Sequence, residues 1–296
     1  MPRILVVGPN PAWQKVFVLN ALTPGEVNRA SQSLSLASGK GINTAKVLKR
    51  LGHDVTLLQI VGGINGRRCL EGCARFGVES LHFEVAEETR QCITLADGRG
   101  ETTEIIEPFR IGRPGAAQAL LDLLPSDPAS FDAIALCGTV PDGAGAGLYE
   151  AILERLRPRV SVIDAWQGLS AHTLAKATCV KMNRTEHEAL VKRLGVGNLG
   201  PALFLVTAGG GEARALRNGE VTARIKPPQL GAVANPIGAG DTVTAGLINH
   251  LLEGIELAEA FRRGLALGSA SCLKFPPAEY ADGDYARLLP LAERLP

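Results

Sequence analysis

Residues 179–207 read CVKMNRTEHEALVKRLGVGNLGPALFLVT. Cys179–Met182 and Leu203–Thr207 are short apolar runs, and Arg184–Leu194 between them has a helical pattern. Strand, helix, strand is the order of two parallel strands joined by a crossover. Strands this continuously apolar suit a sheet covered on both faces.

The same alternation extends in both directions. Ile4–Val7, Val55–Val61, Ala133–Cys137 and Val160–Asp164 are further strands. Helices are expected at Gly41–Leu51, Arg67–Phe76, Ala116–Leu124, Gly145–Leu156, Thr242–Glu253 and Leu257–Lys274. In the first of these, Ile42, Ala45, Leu48 and Leu51 recur every third residue, and Gly52 closes it. The class is therefore α/β, a doubly wound and mostly parallel sheet flanked by helices. Two stretches break the pattern. Residues 14–37 hold Lys15–Leu19 and Asn28–Leu36; residues 89–107 hold Gln91–Ala96 and Glu101–Glu107 around Asp97-Gly98-Arg99-Gly100. Both read as β ribbons, the second with a hairpin turn. They imply a small β lid, built from about 12–37 and 88–108, on a single domain spanning 1–296.

Composition narrows the function. Lys and Arg number 31 against 30 Asp and Glu, a net charge of +1 with no basic tract. A nucleic-acid or membrane-surface partner calls for a basic excess, so neither is expected. No apolar run approaches the roughly 18 residues of a membrane span. Met1-Pro2-Arg3 leads straight into a strand, without the apolar core of a signal peptide, so a cytoplasmic location is expected. Six cysteines, at 69, 73, 92, 137, 179 and 272, form no CxxC and have no paired histidines nearby. They read as buried thiols in a reducing compartment.

Two glycine-rich loops carry the chemistry. Asn235-Pro236-Ile237-Gly238-Ala239-Gly240-Asp241-Thr242 enters an apolar helix. Its glycines let backbone approach a ligand closely, and the helix start offers free N–H groups and a positive dipole end. That is an anion site with a carboxylate beside it, the arrangement phosphoryl transfer needs. The plainer reading is a loop with Asp241 as a helix cap. Ser38-Gly39-Lys40-Gly41-Ile42-Asn43 also enters a helix. It is not a P-loop, because no Ser or Thr follows Lys40. A lysine between glycines, with Asn43 one turn on, suits a polyol or a phosphorylated sugar.

Together these two loops resemble the signatures of the PfkB/ribokinase family of carbohydrate kinases, over nearly the whole chain. Asn10-Pro11-Ala12, Pro24–Arg29 and Glu88-Thr89-Arg90 are similar to the branch containing 1-phosphofructokinase and tagatose-6-phosphate kinase. The resemblance implies a ribokinase-like fold and ATP-dependent phosphorylation of a phosphorylated hexose, with Mg²⁺. It makes Asp241 the base, and Gly238, Ala239 and Gly240 the anion hole. Gly39, Lys40 and Asn43 would contact the sugar, and Arg90 its phosphate. Asn183 and Glu186 match the family's Asn-x-x-Glu motif, which organises Mg²⁺ through water. Asn183, Thr207, Gly209 and Gly240 would face the nucleotide. A homodimer through the lid is also implied.

This chain departs from the pattern at several points. Gln14 stands where the branch has an Asp that bonds sugar hydroxyls, with Trp13 beside it. Ser38 replaces a glycine, Glu212 stands where a glycine follows Gly209, and Lys274–Pro277 replaces a turn near the adenine. Substrate identity is affected more than catalysis. A kinase for an unphosphorylated sugar or nucleoside, and a non-catalytic sugar-phosphate sensor, remain as alternatives.

Overall fold

The computed structural model describes residues 1–296 except 98–101, 113, 146 and 201. Its strands are β1 (Arg3–Val7), β2 (Ala12–Leu19), β3 (Gln32–Ser38), β4 (Asp54–Gly62), β5 (Glu79–Val85), β6 (Gln91–Asp97), β7 (Thr102–Ile106), β8 (Ala133–Cys137), β9 (Val160–Asp164), β10 (Cys179–Asn183), β11 (Leu203–Thr207), β12 (Ala213–Arg217), β13 (Glu220–Lys226) and β14 (Glu293–Leu295). The helices are α1 (Lys40–Arg50), α2 (Gly63–Arg75), α3 (Ala116–Asp122), α4 (Leu148–Arg155), α5 (Ala171–Lys176), α6 (Arg184–Leu194), α7 (Ala239–Leu252), α8 (Leu257–Ser271) and α9 (Asp282–Leu288).

The large sheet runs β14-β13-β12-β11-β10-β9-β8-β1-β4-β5. It is parallel from β11 to β5 and antiparallel beyond β11. Alternation along β1 explains the two-sided core. Ile4 and Val6 face one cluster with Leu48 of α1, Leu247 of α7 and Phe261 of α8. Leu5 and Val7 face the other, with Leu120 of α3, Ile152 of α4 and Leu190 of α6. The chain leaves β1 toward β4 and β5, then returns to β8 on its other side. The strand order therefore reverses between β1 and β8. In open α/β sheets the crevice beyond the carboxyl ends at such a reversal is where ligands bind.

The six strands read for the large sheet appear within a residue of their expected ends, whereas in the ribbons β2 starts three residues before the expected Lys15 and β3 four residues after the expected Asn28. β5 and β12 to β14 escaped that reading because they lie toward the sheet edges, where exposed and buried residues mix. Helix α7 starts three residues earlier than the apolar pattern, because Gly238 takes φ 76° and lets Ala239-Gly240-Asp241 form the first turn. The two ribbons form a separate sheet, β3-β2-β6-β7. The turn expected at Gly98–Gly100 lies outside the described residues. Register puts Gln14, Val16, Thr94 and Glu104 on one face of this small sheet, and Phe17, Ile93, Leu95 and Ile105 on the other. Val16 and Thr94 are fully buried while Ile105 is exposed, so the first face looks inward.

Helices α7 and α8 pack through glycines. A Cβ on Gly268 would lie 2.5 Å from Val243 Cγ2 and 3.0 Å from the Ala239 carbonyl oxygen. Gly268→Ala should therefore push α8 off the helix that carries Asp241. An overpacking cost of about 1–3 kcal/mol is expected, read as a lower melting temperature; an unchanged one would show that the interface yields freely.

Candidate active site

Asp241 sits in the first turn of α7 and is only 7% exposed. In this first turn the Ala239 N–H, expected in the anion hole, instead donates to the Pro236 carbonyl at 3.2 Å, while the Gly240 and Asp241 N–H groups have no acceptor among the described residues. A Cβ on Gly238 would lie 2.8 Å from the Ala278 nitrogen, so only glycine fits this left-handed position. Asn43, one turn into α1, donates from Nδ2 to Asp241 Oδ2 at 2.7 Å, across 198 residues of sequence. Ser38 Oγ, 3.3 Å from Asn43 Oδ1, helps fix that amide.

Behind Asp241 lies a buried charge cluster. Asp164, at the end of β9, is fully buried. Its Oδ2 accepts from Lys181 Nζ at 2.6 Å and from Thr244 Oγ1 at 2.6 Å, and its Oδ1 accepts from Lys40 Nζ at 2.9 Å. Lys40 also bonds Glu186 Oε1 at 3.0 Å, and Lys181 bonds the Gly240 carbonyl at 3.0 Å. Burial alone would raise the Asp164 pKa, but Lys181 and Lys40 overcome it and hold the carboxyl ionised, well below the usual range. Burial opposes the charge on Lys40 too, and Asp164 and Glu186 outweigh it and raise its pKa. Asp241 is pushed up to about 6, first by burial and then by the Asp164 charge, against the pull of Lys181, Lys40 and the Asn43 bond. Two neighbouring carboxyls thus have opposite environments, one locked as an anion and one poised to exchange a proton near neutrality.

Three cavities meet here. One of about 310 Å³ is lined by Asp241, Gly238, Gly240, Lys181, Asn183 and Glu186, and also by Thr102 and Glu104 of the small sheet. A second of about 450 Å³ opens beyond Asn183, Thr207, Gly209, Ala239 and Gly240 into an apolar hollow with Leu230, Val243 and Leu265. A third of about 150 Å³ lies across the Lys40–Glu186 pair, at the strand-order reversal, against Arg90 and the ends of β1 and β8.

Most residues singled out from the sequence converge on this place. Gly39 takes φ 107° and lets its loop pass close to Pro11. Asn183 and Glu186 cap each other reciprocally at the start of α6, with Glu186 Oε1 turned to Lys40. Lys40 itself is already paired with two carboxylates, so its ammonium stands between the cavities rather than as a free cation. Arg90 is different. Among the described residues its guanidinium bonds the Pro11 and Asn10 carbonyls and no carboxylate. Gln14 lies on the inner face of the small sheet, 4% exposed, with Nε2 donating to Thr94 Oγ1 at 2.8 Å. The six cysteines are unpaired, and five are buried.

A family model described as pfkB family carbohydrate kinase matches residues 11–279. The chain belongs to that family. It is accordingly an enzyme, a phosphotransferase with an alcohol acceptor, and the fold is ribokinase-like. A 1-phosphofructokinase of Rhodobacter capsulatus is 28% identical over 284 residues, covering 89% of this chain and 88% of that protein. A 1-phosphofructokinase of Haemophilus influenzae is 26% identical over 316 residues, covering 100% and 98%. Among solved structures, phosphofructokinase-2 from Escherichia coli in complex with substrates and products superposes with a TM-score of 0.82, at 22% identity, over 97% of this chain and 98% of that one. Ribokinase from Thermotoga maritima gives 0.77 at 19% identity, over 98% and 100%.

Sequence reasoning did not single out Lys181. It reads as one residue in an apolar strand, yet an ammonium in a central buried strand must have a carboxylate partner. That rule alone could have found it. Thr244, Glu104 and Thr102 gave no sequence signal. Among the described residues, no helix is long and apolar enough to cross a membrane.

Proposed function

We propose that this kinase transfers the γ-phosphoryl group of ATP to a hydroxyl of a phosphorylated hexose. The observation that carries the reading is the paired arrangement of Asp241 and Arg90. Asp241 is a buried carboxyl with a pKa near neutrality beside an anion loop. Across the Lys40–Glu186 pair lies a guanidinium with no carboxylate partner among the described residues.

In this reading Asp241 accepts the proton of the attacking hydroxyl. The Gly240 and Asp241 N–H groups at the start of α7 hold the transferring phosphoryl, and Lys181, beside Gly240, offsets its charge. The apolar hollow around Leu230 and Val243 takes the adenine, and Thr207 and Gly209 line the path to the phosphates. Asn183 and Glu186 would hold Mg²⁺ through water. Each Glu186 oxygen already accepts one hydrogen bond and keeps a second lone pair, which suits a water-mediated grip on a hard cation. When bound, Mg²⁺ supplies charge neutralisation on the β- and γ-phosphates. Arg90 takes the phosphate already on the sugar. The small sheet acts as a lid that excludes water from the reaction. Its outer residues Phe17, Ile93, Leu95 and Ile105 would pair with a second copy.

An ATP-consumption assay tests the reading, across fructose 1-phosphate, fructose 6-phosphate, tagatose 6-phosphate, fructose, ribose and adenosine. One phosphorylated hexose should turn over. Arg90→Ala should raise its KM by about 10- to 100-fold, the worth of one or two charged hydrogen bonds, and leave the KM for ATP unchanged. Turnover of only a neutral acceptor, insensitive to Arg90, would reject the phosphosugar and keep the kinase.

A further inference from the structure

The cavity of about 150 Å³ at the β1/β8 reversal contains a group that no motif accounts for. Trp166, two residues past Asp164, lines it together with Arg90. The same cavity is bounded by Asn10 and Thr139, at the carboxyl ends of β1 and β8. Asn10 Nδ2 donates to Thr139 Oγ1 at 2.9 Å, while Asn10 Oδ1 is buried with no partner. An unpaired buried acceptor beside an arginine without a carboxylate is what a ligand hydroxyl and phosphate would complete. The indole adds a flat apolar face. Sugars present such a face of C–H groups on one side and hydroxyls on the other.

We propose that Trp166 is the residue that selects the acceptor, by stacking on the C–H face of a monosaccharide phosphate held by Arg90. This rests on the phosphosugar reading above and deepens it. Trp166 and Arg90 line the same cavity of about 150 Å³. With the phosphate fixed at Arg90, the sugar ring lies between that side chain and Trp166. A nucleoside, whose base would project past that ring, meets the indole. Trp166 thus acts twice, as an attractive surface for the right acceptor and as a barrier to larger ones. Its backbone is fixed independently of any ligand, because the Trp166 carbonyl accepts from Arg193 at 3.1 Å, and the residue packs against the core cluster that includes Leu190 of α6. The platform is therefore in place before the sugar arrives.

The chain has two tryptophans, Trp13 and Trp166, which gives a direct readout. In Trp13→Phe, the fluorescence of Trp166 alone should change on titration with the sugar phosphate and saturate at its KM. Trp166→Ala should raise that KM by at least 10-fold, with the KM for ATP unchanged, and Trp166→Phe should recover most of the loss. Turnover of adenosine or other bulky acceptors should rise relative to the sugar phosphate in Trp166→Ala. Unchanged fluorescence, or a sugar-phosphate KM within twofold in Trp166→Ala while Arg90→Ala fails, would overturn the proposal and leave the phosphosugar reading standing. If no sugar phosphate turns over in the wild type, both fall together.

Discussion

Asp241→Asn should cut kcat by about 10³-fold, in the range for loss of a general base, and should not destabilise the fold. The amide fills the same volume, and its oxygen can still accept the bond from Asn43 Nδ2 that Oδ2 now accepts at 2.7 Å. What disappears is the proton acceptor. The wild-type enzyme should show an acid limb in kcat/KM near pH 6, because in the free enzyme Asp241 is pushed up to about 6 by burial and by Asp164. Below that limb the carboxyl is protonated and cannot take a second proton. The stability consequence runs the other way. With a folded pKa above the ordinary carboxylate value, the folded protein holds a proton between about pH 4 and 6 that the unfolded chain has released. This group's contribution to stability therefore falls as pH rises through that window. At pH 7 the substitution removes a penalty on the order of 1–3 kcal/mol, so the variant should melt at an equal or higher temperature. A melting temperature that drops, or a kcat within 10-fold of wild type, would remove Asp241 from the role of base.

The division between what was legible in the sequence and what was not follows the range of the interactions. Leu203–Thr207 and Val160–Asp164 announce themselves, because a strand buried on both faces must be apolar at every position. Gly238-Ala239-Gly240-Asp241 is legible because a close backbone approach and a helix start both act within a few residues. Arg90, Glu186 and Asn183 were legible only through their likeness to a family pattern. The electrostatics were not legible at all. Asn43 meets Asp241 across 198 positions, and Lys40 meets Glu186 across 146. Nothing local says that Lys40 is paired by two carboxylates, or that Asp164 holds two ammoniums at once. Those facts follow from the parallel pairing of β1, β8, β9 and β10, which brings their carboxyl ends to one end of the sheet.

The same cluster makes a sharper prediction than loss of activity, because its two members should move the pH profile in opposite directions. Asp164 raises the pKa of Asp241, and Lys181 lowers it. Asp164→Asn should therefore shift the acid limb of kcat/KM below pH 6, and Lys181→Met should shift it above. Both should lose activity. Lys181→Met removes a cation beside the Gly240 carbonyl where the phosphoryl is expected, at a loss of about 10²- to 10³-fold. Their stabilities should also separate. Asp164→Asn leaves Lys181, with a side chain only 5% exposed, without its carboxylate, a cost of about 3–5 kcal/mol for a broken buried pair. Lys181→Met leaves Asp164 bonded to Lys40 and Thr244, so its cost should be smaller. Measured side by side, opposite shifts of the limb would tie the reactive proton to Asp241 and its charge environment. Shifts in the same direction would mean that the limb belongs to another group, and that the Asp164–Lys181 pair serves the fold more than the reaction.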